Sequence, residues 1–113
     1  MSQLSPFVDF VINDLLAGLP ALTHRRMFGA YGLYSAGRFF AIIDDGTLYL
    51  KADEALKEEF KEAGSIVFSY PMKDGEVATL NYWSLPEEAL EDHELAKVWA
   101  LKSIAIANPP KKR

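Results

Sequence analysis

The side chains able to do chemistry are concentrated in one stretch, residues 24–51. There His24, Arg25, Arg26, Arg38 and Lys51 are interleaved with Tyr31, Tyr34 and Tyr49. Cations set among aromatic rings can hold carboxylates or phosphates through charge-assisted hydrogen bonds, and the rings can stack on planar groups. Three uses fit the pattern. The plain one is a solvated amphipathic face whose arginines pair with nearby acids. The second is a contact surface for a protein partner or another copy of the chain. The third is a nucleic-acid surface of basic and aromatic side chains on an open sheet. The candidate partner-binding set is Arg25, Arg26, Arg38, Tyr34, Tyr49 and Lys51.

Reaction chemistry finds little support. His93-Glu94-Leu95-Ala96-Lys97 starts like a zinc-protease helix but has lysine where the second histidine ligand must stand. His24 has no serine or carboxylate in its own segment to complete a catalytic pair. Gly29-Ala30-Tyr31-Gly32 lacks the Gly-Lys-Ser/Thr ending of a phosphate loop, and strands rather than a helix follow it. Asp44-Asp45-Gly46 lacks the alternating acids of a calcium loop and reads as a hairpin turn. Glu87, Glu88, Glu91, Asp92 and Glu94 crowd the start of the last helix, where carboxylates complement the helix dipole. The absence of cysteine excludes disulfides, thiolate metal sites and thiol nucleophiles. No catalytic, cofactor-binding or metal-binding residue is assigned, no cofactor is expected, and an enzyme is not expected.

The elements that must carry the basic and aromatic residues are legible around them. Ala36-Gly37 and Asp44-Asp45-Gly46 separate apolar runs at 31–35, 38–43 and 47–51, which reads as a meander of short antiparallel strands. Thr47-Leu48-Tyr49-Leu50-Lys51 alternates strictly, so Leu48 and Leu50 face one way and Tyr49 and Lys51 the other. Residues 21–29 precede them as a first strand, in which adjacent Arg25 and Arg26 must point to opposite faces. Arg26 is expected to be the structural member of that pair, buried on the helix side with a partner, because Phe28 shares its face and reads as core.

Before the meander, Ser5 and Pro6 open a helix with Phe7, Val8, Val11, Ile12, Leu15, Leu16 and Leu19 on one stripe, ended by Gly18 and Pro20. After it, Asp53 caps a helix over 54–63 that buries Leu56, Phe60 and Ala63. Two strands follow at 65–70 and 77–84, joined at Lys73-Asp74-Gly75. A short helical turn then starts at Ser84-Leu85-Pro86-Glu87. Asp92 caps a last helix with Leu95, Val98, Trp99, Lys102 and Ile106 at helical spacing, stopped by Asn108-Pro109-Pro110. The fold class is α+β: a two-layer antiparallel sheet of five to six strands with helices on one face, in the order α-β-β-β-β-α-β-β-α.

The 113 residues suit a single domain, 1–108, followed by a frayed basic tail, 109–113. Twelve basic residues against sixteen acidic disfavour broad binding to nucleic acid, which relies on neutralising phosphates. Asp9, Asn13 and Asp14 interrupt the apolar positions, and with the lack of an early basic residue they argue against a signal peptide. No run approaches the roughly 18 apolar residues of a membrane span, so a cytoplasmic location is expected.

Arg25-Arg26-Met27-Phe28-Gly29, Gly32-Leu33-Tyr34, Gly37, Phe40-Ala41, Leu48-Tyr49-Leu50-Lys51, and later Tyr82-Trp83 with Pro86, together resemble the N-terminal domain of the TfoX/Sxy family. The resemblance runs over residues 7–107. It implies a similar two-layer α+β fold. It also implies a bacterial, non-enzymatic regulatory domain that acts on transcription of DNA-uptake competence genes through a protein partner, a transcription regulator among them. The family's best-known members carry a further C-terminal domain, for which 113 residues leave no room. A monomer or homodimer is expected, with no membrane association. The alternatives are a direct nucleic-acid-binding module, and a small-molecule-binding domain or enzyme of unknown reaction.

Overall fold

The computed structural model describes residues 5–27 and 29–107. Phe28, the expected Pro stop after the last helix and the basic tail lie outside the described residues. The described residues build one six-stranded antiparallel sheet with three helices packed on one side. Its strands are β1 (Leu22–Met27), β2 (Ala30–Ser35), β3 (Arg38–Asp44), β4 (Thr47–Lys51), β5 (Val67–Pro71) and β6 (Val77–Ser84). The helices are α1 (Pro6–Phe10), α2 (Glu54–Glu62) and α3 (His93–Ile106). The sheet order is β1-β2-β3-β4-β6-β5, so β1 and β5 form its two edges.

Local chemistry sets most boundaries. The Ser5 hydroxyl accepts from the Val8 amide and Pro6 takes the first helical position. Past Phe10 the helix widens into a π-turn, Val11–Leu15, in which the Leu16 amide bonds the Val11 carbonyl five residues back. That extra residue lets Val11, Leu15, Leu16 and Leu19 all reach the core. Asp53 and Asp92 cap α2 and α3 through their side chains. Ala36-Gly37 and Asp45-Gly46 each hold positive φ at both residues, the tight turn that strand twist favours.

The core lies between the sheet and the helices. Leu33, Ala41, Ile43, Leu48, Leu50 and Trp83 point down from the strands to meet Val11, Leu15, Leu56, Phe60, Ala96 and Ala100. Between β2 and β3 the register shifts by one: Leu33 pairs with Ala41, but Tyr34 pairs with Phe39. Phe40 is the extra residue, and this bulge lets Phe40 enter the core beside Ala41 while Phe39 takes the opposite face.

Two expected stripes are displaced. Ala63 is exposed at the end of α2, so Leu56 and Phe60 alone bury that helix. On α3 the buried line is Ala96, Ala100 and Ser103, while Val98 is 49% exposed and Lys102 lies at the surface. Small side chains let α3 approach β3 and β4 closely, and the Ser103 hydroxyl donates to the Lys51 carbonyl at 2.6 Å. Trp99 sits at the margin of this contact, half-buried and stacked on Phe60 with ring centroids 4.6 Å apart. Strand β5 starts at Val67 rather than Ser65, whose hydroxyl instead donates to the Ser84 carbonyl. A 3₁₀ turn, Glu87–Glu91, occupies the connection into α3.

Candidate functional site

The strand registers sort the candidate residues by face. Paired residues on antiparallel strands point the same way, and neighbours along a strand point opposite ways. Arg25 pairs with Gly32, Thr23 with Tyr34, Tyr34 with Phe39, Ile42 with Tyr49, and Lys51 with Tyr82. All of these stand on the face away from the helices. The structure therefore brings Arg25, Tyr34, Tyr49 and Lys51 onto one open face.

That face is paved with rings. Tyr34 stacks on Phe39 at 5.1 Å between centroids, and Phe39 leans on Tyr82 at 5.8 Å. Tyr49 meets Phe68 edge-on at 4.9 Å, and Phe68 continues to Tyr70 at 6.1 Å. Lys51 Nζ lies 5.3 Å from the centre of the Tyr82 ring, a cation over an aromatic face. Burial, and secondarily the neighbouring Tyr34, push the Tyr82 hydroxyl up to about 12. Gly32 makes room for this layer. A Cβ there would stand 2.6 Å from Met27 Cε and 2.9 Å from Phe39 Cε1, so those two side chains fill the space a larger residue would need.

Arg26 and Arg38 fall elsewhere. Arg26 pairs with Tyr31 on the helix side of the sheet, but β1 is the outermost strand and Arg26 remains exposed. The expected buried charge is therefore absent: its guanidinium lies 5.9 Å from the centre of the Tyr31 ring. Arg38 has the structural task. It is half-buried, and Nη1 donates to the Ala107 carbonyl at 3.1 Å, tying the end of α3 to the start of β3.

Of the open-face residues, sequence reasoning missed Phe39, Tyr82, Phe68 and Tyr70. The alternation of β6 could have placed Tyr82 opposite Trp83. Nothing local to Phe39-Phe40 tells which ring turns outward, because the bulge decides it.

The charges divide by layer. The lysines of α2 and α3 are all paired with glutamate: Lys57 with Glu54, Lys61 with Glu58, Lys97 with Glu94, and Lys102 with Glu59. On residues 22–51 four cations face only Asp44 and Asp45. All sixteen acidic residues are among the described residues, and none lies within ion-pair distance of Arg25, Arg26 or Lys51.

Concave features are shallow. A depression beside β1 is lined by Thr23, His24, Arg25, Tyr34 and Gly37. His93 packs edge-on against Phe10 at the far end of the molecule, 6.4 Å between ring centres. Among the described residues no three His, Asp or Glu side chains are grouped so as to hold a metal ion. No described helix is long and apolar enough to cross a membrane.

Comparison with known proteins places this arrangement. Residues 14–107 match the sequence model of the TfoX N-terminal domain. Protein Sxy of Escherichia coli strain K12 is 34% identical over 87 residues, 77% of this chain and 41% of that protein. DNA transformation protein TfoX1 of Aliivibrio fischeri is 33% identical over 63 residues, 56% of this chain and 30% of that protein. The matched segment thus spans less than half the length of either relative.

Proposed function

Because the chain belongs to the TfoX N-terminal domain family, we propose that it is a non-enzymatic regulatory domain that works by binding a protein partner, and through that partner affects transcription. One relative bears the name DNA transformation protein, which supports a role connected with DNA transformation. The contact surface is the open sheet face with the Arg25-Arg26 strand beside it.

One observation carries the reading: the helix layer neutralises its lysines internally, while Arg26 and Lys51 lie over tyrosine rings, Arg25 lines a depression with Tyr34, and none of the three has an acidic side chain of the described residues within ion-pair distance. Arginine and aromatic side chains are the residues enriched in protein interfaces, where Tyr and Arg often anchor contacts. The rings of this face are packed mainly on one another. That suits a flat protein contact better than insertion of nucleic-acid bases, which needs free ring faces.

The test is capture from a cell extract by the immobilised chain, with three versions compared. A partner that uses this surface is retained by the wild type and by Lys57→Ala, and lost with Arg25→Glu combined with Tyr49→Ala. Equal retention by all three versions, or retention abolished by nuclease, would reject the reading.

A further inference from the structure

We propose that the outer edge of β1 receives an extended acidic segment of the partner protein as an added strand. This inference rests on the protein-contact reading and specifies its mode. Among the described residues β1 pairs only with β2. The two strands are linked by two residues, and Met27 pairs with Ala30 across that link. Hydrogen-bonded pairs then alternate along the ladder: 27 with 30, 25 with 32, 23 with 34. The Ala36 amide donating to the Ala21 carbonyl at 3.2 Å continues the same phase at the far end. The N–H and C=O of Leu22, His24 and Arg26 therefore point away from β2, along a six-residue edge whose side chains from Thr23 to Arg26 are all exposed.

This edge differs from the opposite one. On β5 the Met72 amide bonds the Glu76 carbonyl, which turns Pro71 outward. Proline has no N–H to offer, a device that blunts a sheet edge. β1 carries no proline.

The chemistry of the edge selects its occupant. Leu22, His24 and Arg26 present donors and acceptors in alternation, which a peptide strand answers in full. A phosphodiester backbone offers acceptors only and would leave the carbonyls unanswered. A second copy of β1 carries no carboxylate, so it would double the positive charge along the edge and leave Arg25 and Arg26 unanswered. Arg25 projects on the open face and Arg26 on the other, so two successive residues of an incoming strand can each bring a carboxylate to one of them. Among the described residues no acidic side chain lies within ion-pair distance of either guanidinium.

The experiment is amide hydrogen exchange by NMR on the full chain. The probe is a capped peptide of about ten alternating Thr and Val residues, enough to span a strand, with Glu-Glu at its centre. A Lys-Lys version and a single-stranded oligo(dT) serve as the other arms. Saturating Glu-Glu peptide should slow exchange at Leu22, His24 and Arg26 by about tenfold or more, leaving the already bonded Thr23, Arg25 and Met27 amides unchanged. The chain carrying Arg25→Glu and Arg26→Glu should reverse its preference to the Lys-Lys peptide. Since both side chains are exposed, that variant keeps its fold, which its own exchange map verifies. Absence of protection at the three amides, equal protection by both peptides, or protection by oligo(dT) alone would overturn strand addition. Each of those results leaves the protein-contact reading to its capture experiment, which fails independently.

Discussion

On the helix layer Lys57, Lys61, Lys97 and Lys102 each lie 2.6–3.8 Å from a glutamate oxygen. On the sheet, Arg25 and Arg26 of the edge strand β1 have no such neighbour, and Lys51 of the central strand β4 rests on a tyrosine ring. Both regions are exposed, and both carry cations and aromatics. One has closed its charges into local pairs; the other has left them open. Surface pairs of the first kind add little stability, so the helix layer must be held by its apolar contacts. The open cations of the second kind make no ion pair, only contacts with aromatic rings for Arg26 and Lys51, so their charge is free for binding.

The largest expected effect tests the first half of that contrast. Phe60 is fully buried and joins α2 to Trp99 of α3. Phe60→Ala should cost about 3–5 kcal/mol by lost transfer energy and the cavity left behind. Urea denaturation would read it as a lower midpoint. A loss near zero would mean that surface pairing, not packing, holds the helix layer.

The next effect lies on the open face and depends on pH. The Tyr82 hydroxyl is raised to about 12 by burial, then by Tyr34, against an ordinary value of 10.0. In the unfolded chain the phenol ionises first, so between pH 10 and 12 the unfolded state has lost a proton that the folded state keeps. Stability is intact below pH 10 and falls as pH climbs toward 12, by roughly 2–3 kcal/mol for a shift of this size. Tyr82→Phe should remove that portion of the alkaline loss. If wild type and variant lose stability equally between pH 9 and pH 11.5, the ring is not held in a water-poor layer.

A smaller effect separates two arginines of the same stretch. Arg38→Ala removes the charged donor from the Ala107 carbonyl and should cost about 1–2 kcal/mol. Hydrogen exchange should localise the damage to the last turn of α3. Uniform protection along α3 in the variant would show that the bond does not fasten the helix end.

These outcomes also mark what the sequence could tell. Turns and caps were legible because their chemistry is local: Asp45-Gly46 and Ala36-Gly37 supply the positive φ, and Ser5, Asp53 and Asp92 supply capping oxygens. The alternation of Thr47–Lys51 placed Tyr49 and Lys51 together correctly. The orientation of α3 was not legible. Leu95, Val98, Trp99, Leu101, Ile104 and Ile106 put apolar side chains on nearly every side, so large residues could not vote for a face. Close approach to the sheet decided it in favour of Ala96, Ala100 and Ser103. Adjacent arginines on opposite faces followed from strand geometry alone. That the helix layer stops short of β1, leaving Arg26 exposed on the helix side of the sheet, is a tertiary fact with no local signal.

The smallest expected effect is the one that bears most on function. Arg25→Ala and Arg26→Ala should each leave stability within about 0.5 kcal/mol of wild type, because both side chains are exposed and neither pairs with an acidic side chain among the described residues. Lys57→Ala should be equally mild, since its pair with Glu54 is solvent-screened. On stability alone the two regions are then indistinguishable, and the contrast must appear in ionic strength. Replacing Lys57 frees a glutamate and makes the helix layer more acidic, an effect that added salt screens. Replacing Arg25 or Arg26 takes a cation from the less acidic layer and frees no neighbouring acid. Binding of an anionic partner should weaken with salt in the wild type and in Lys57→Ala, and lose part of that salt dependence with either arginine removed. If all three variants keep the wild-type salt dependence, the open cations of β1 play no part in recognition, and the two layers differ only in how their charges happen to be solvated.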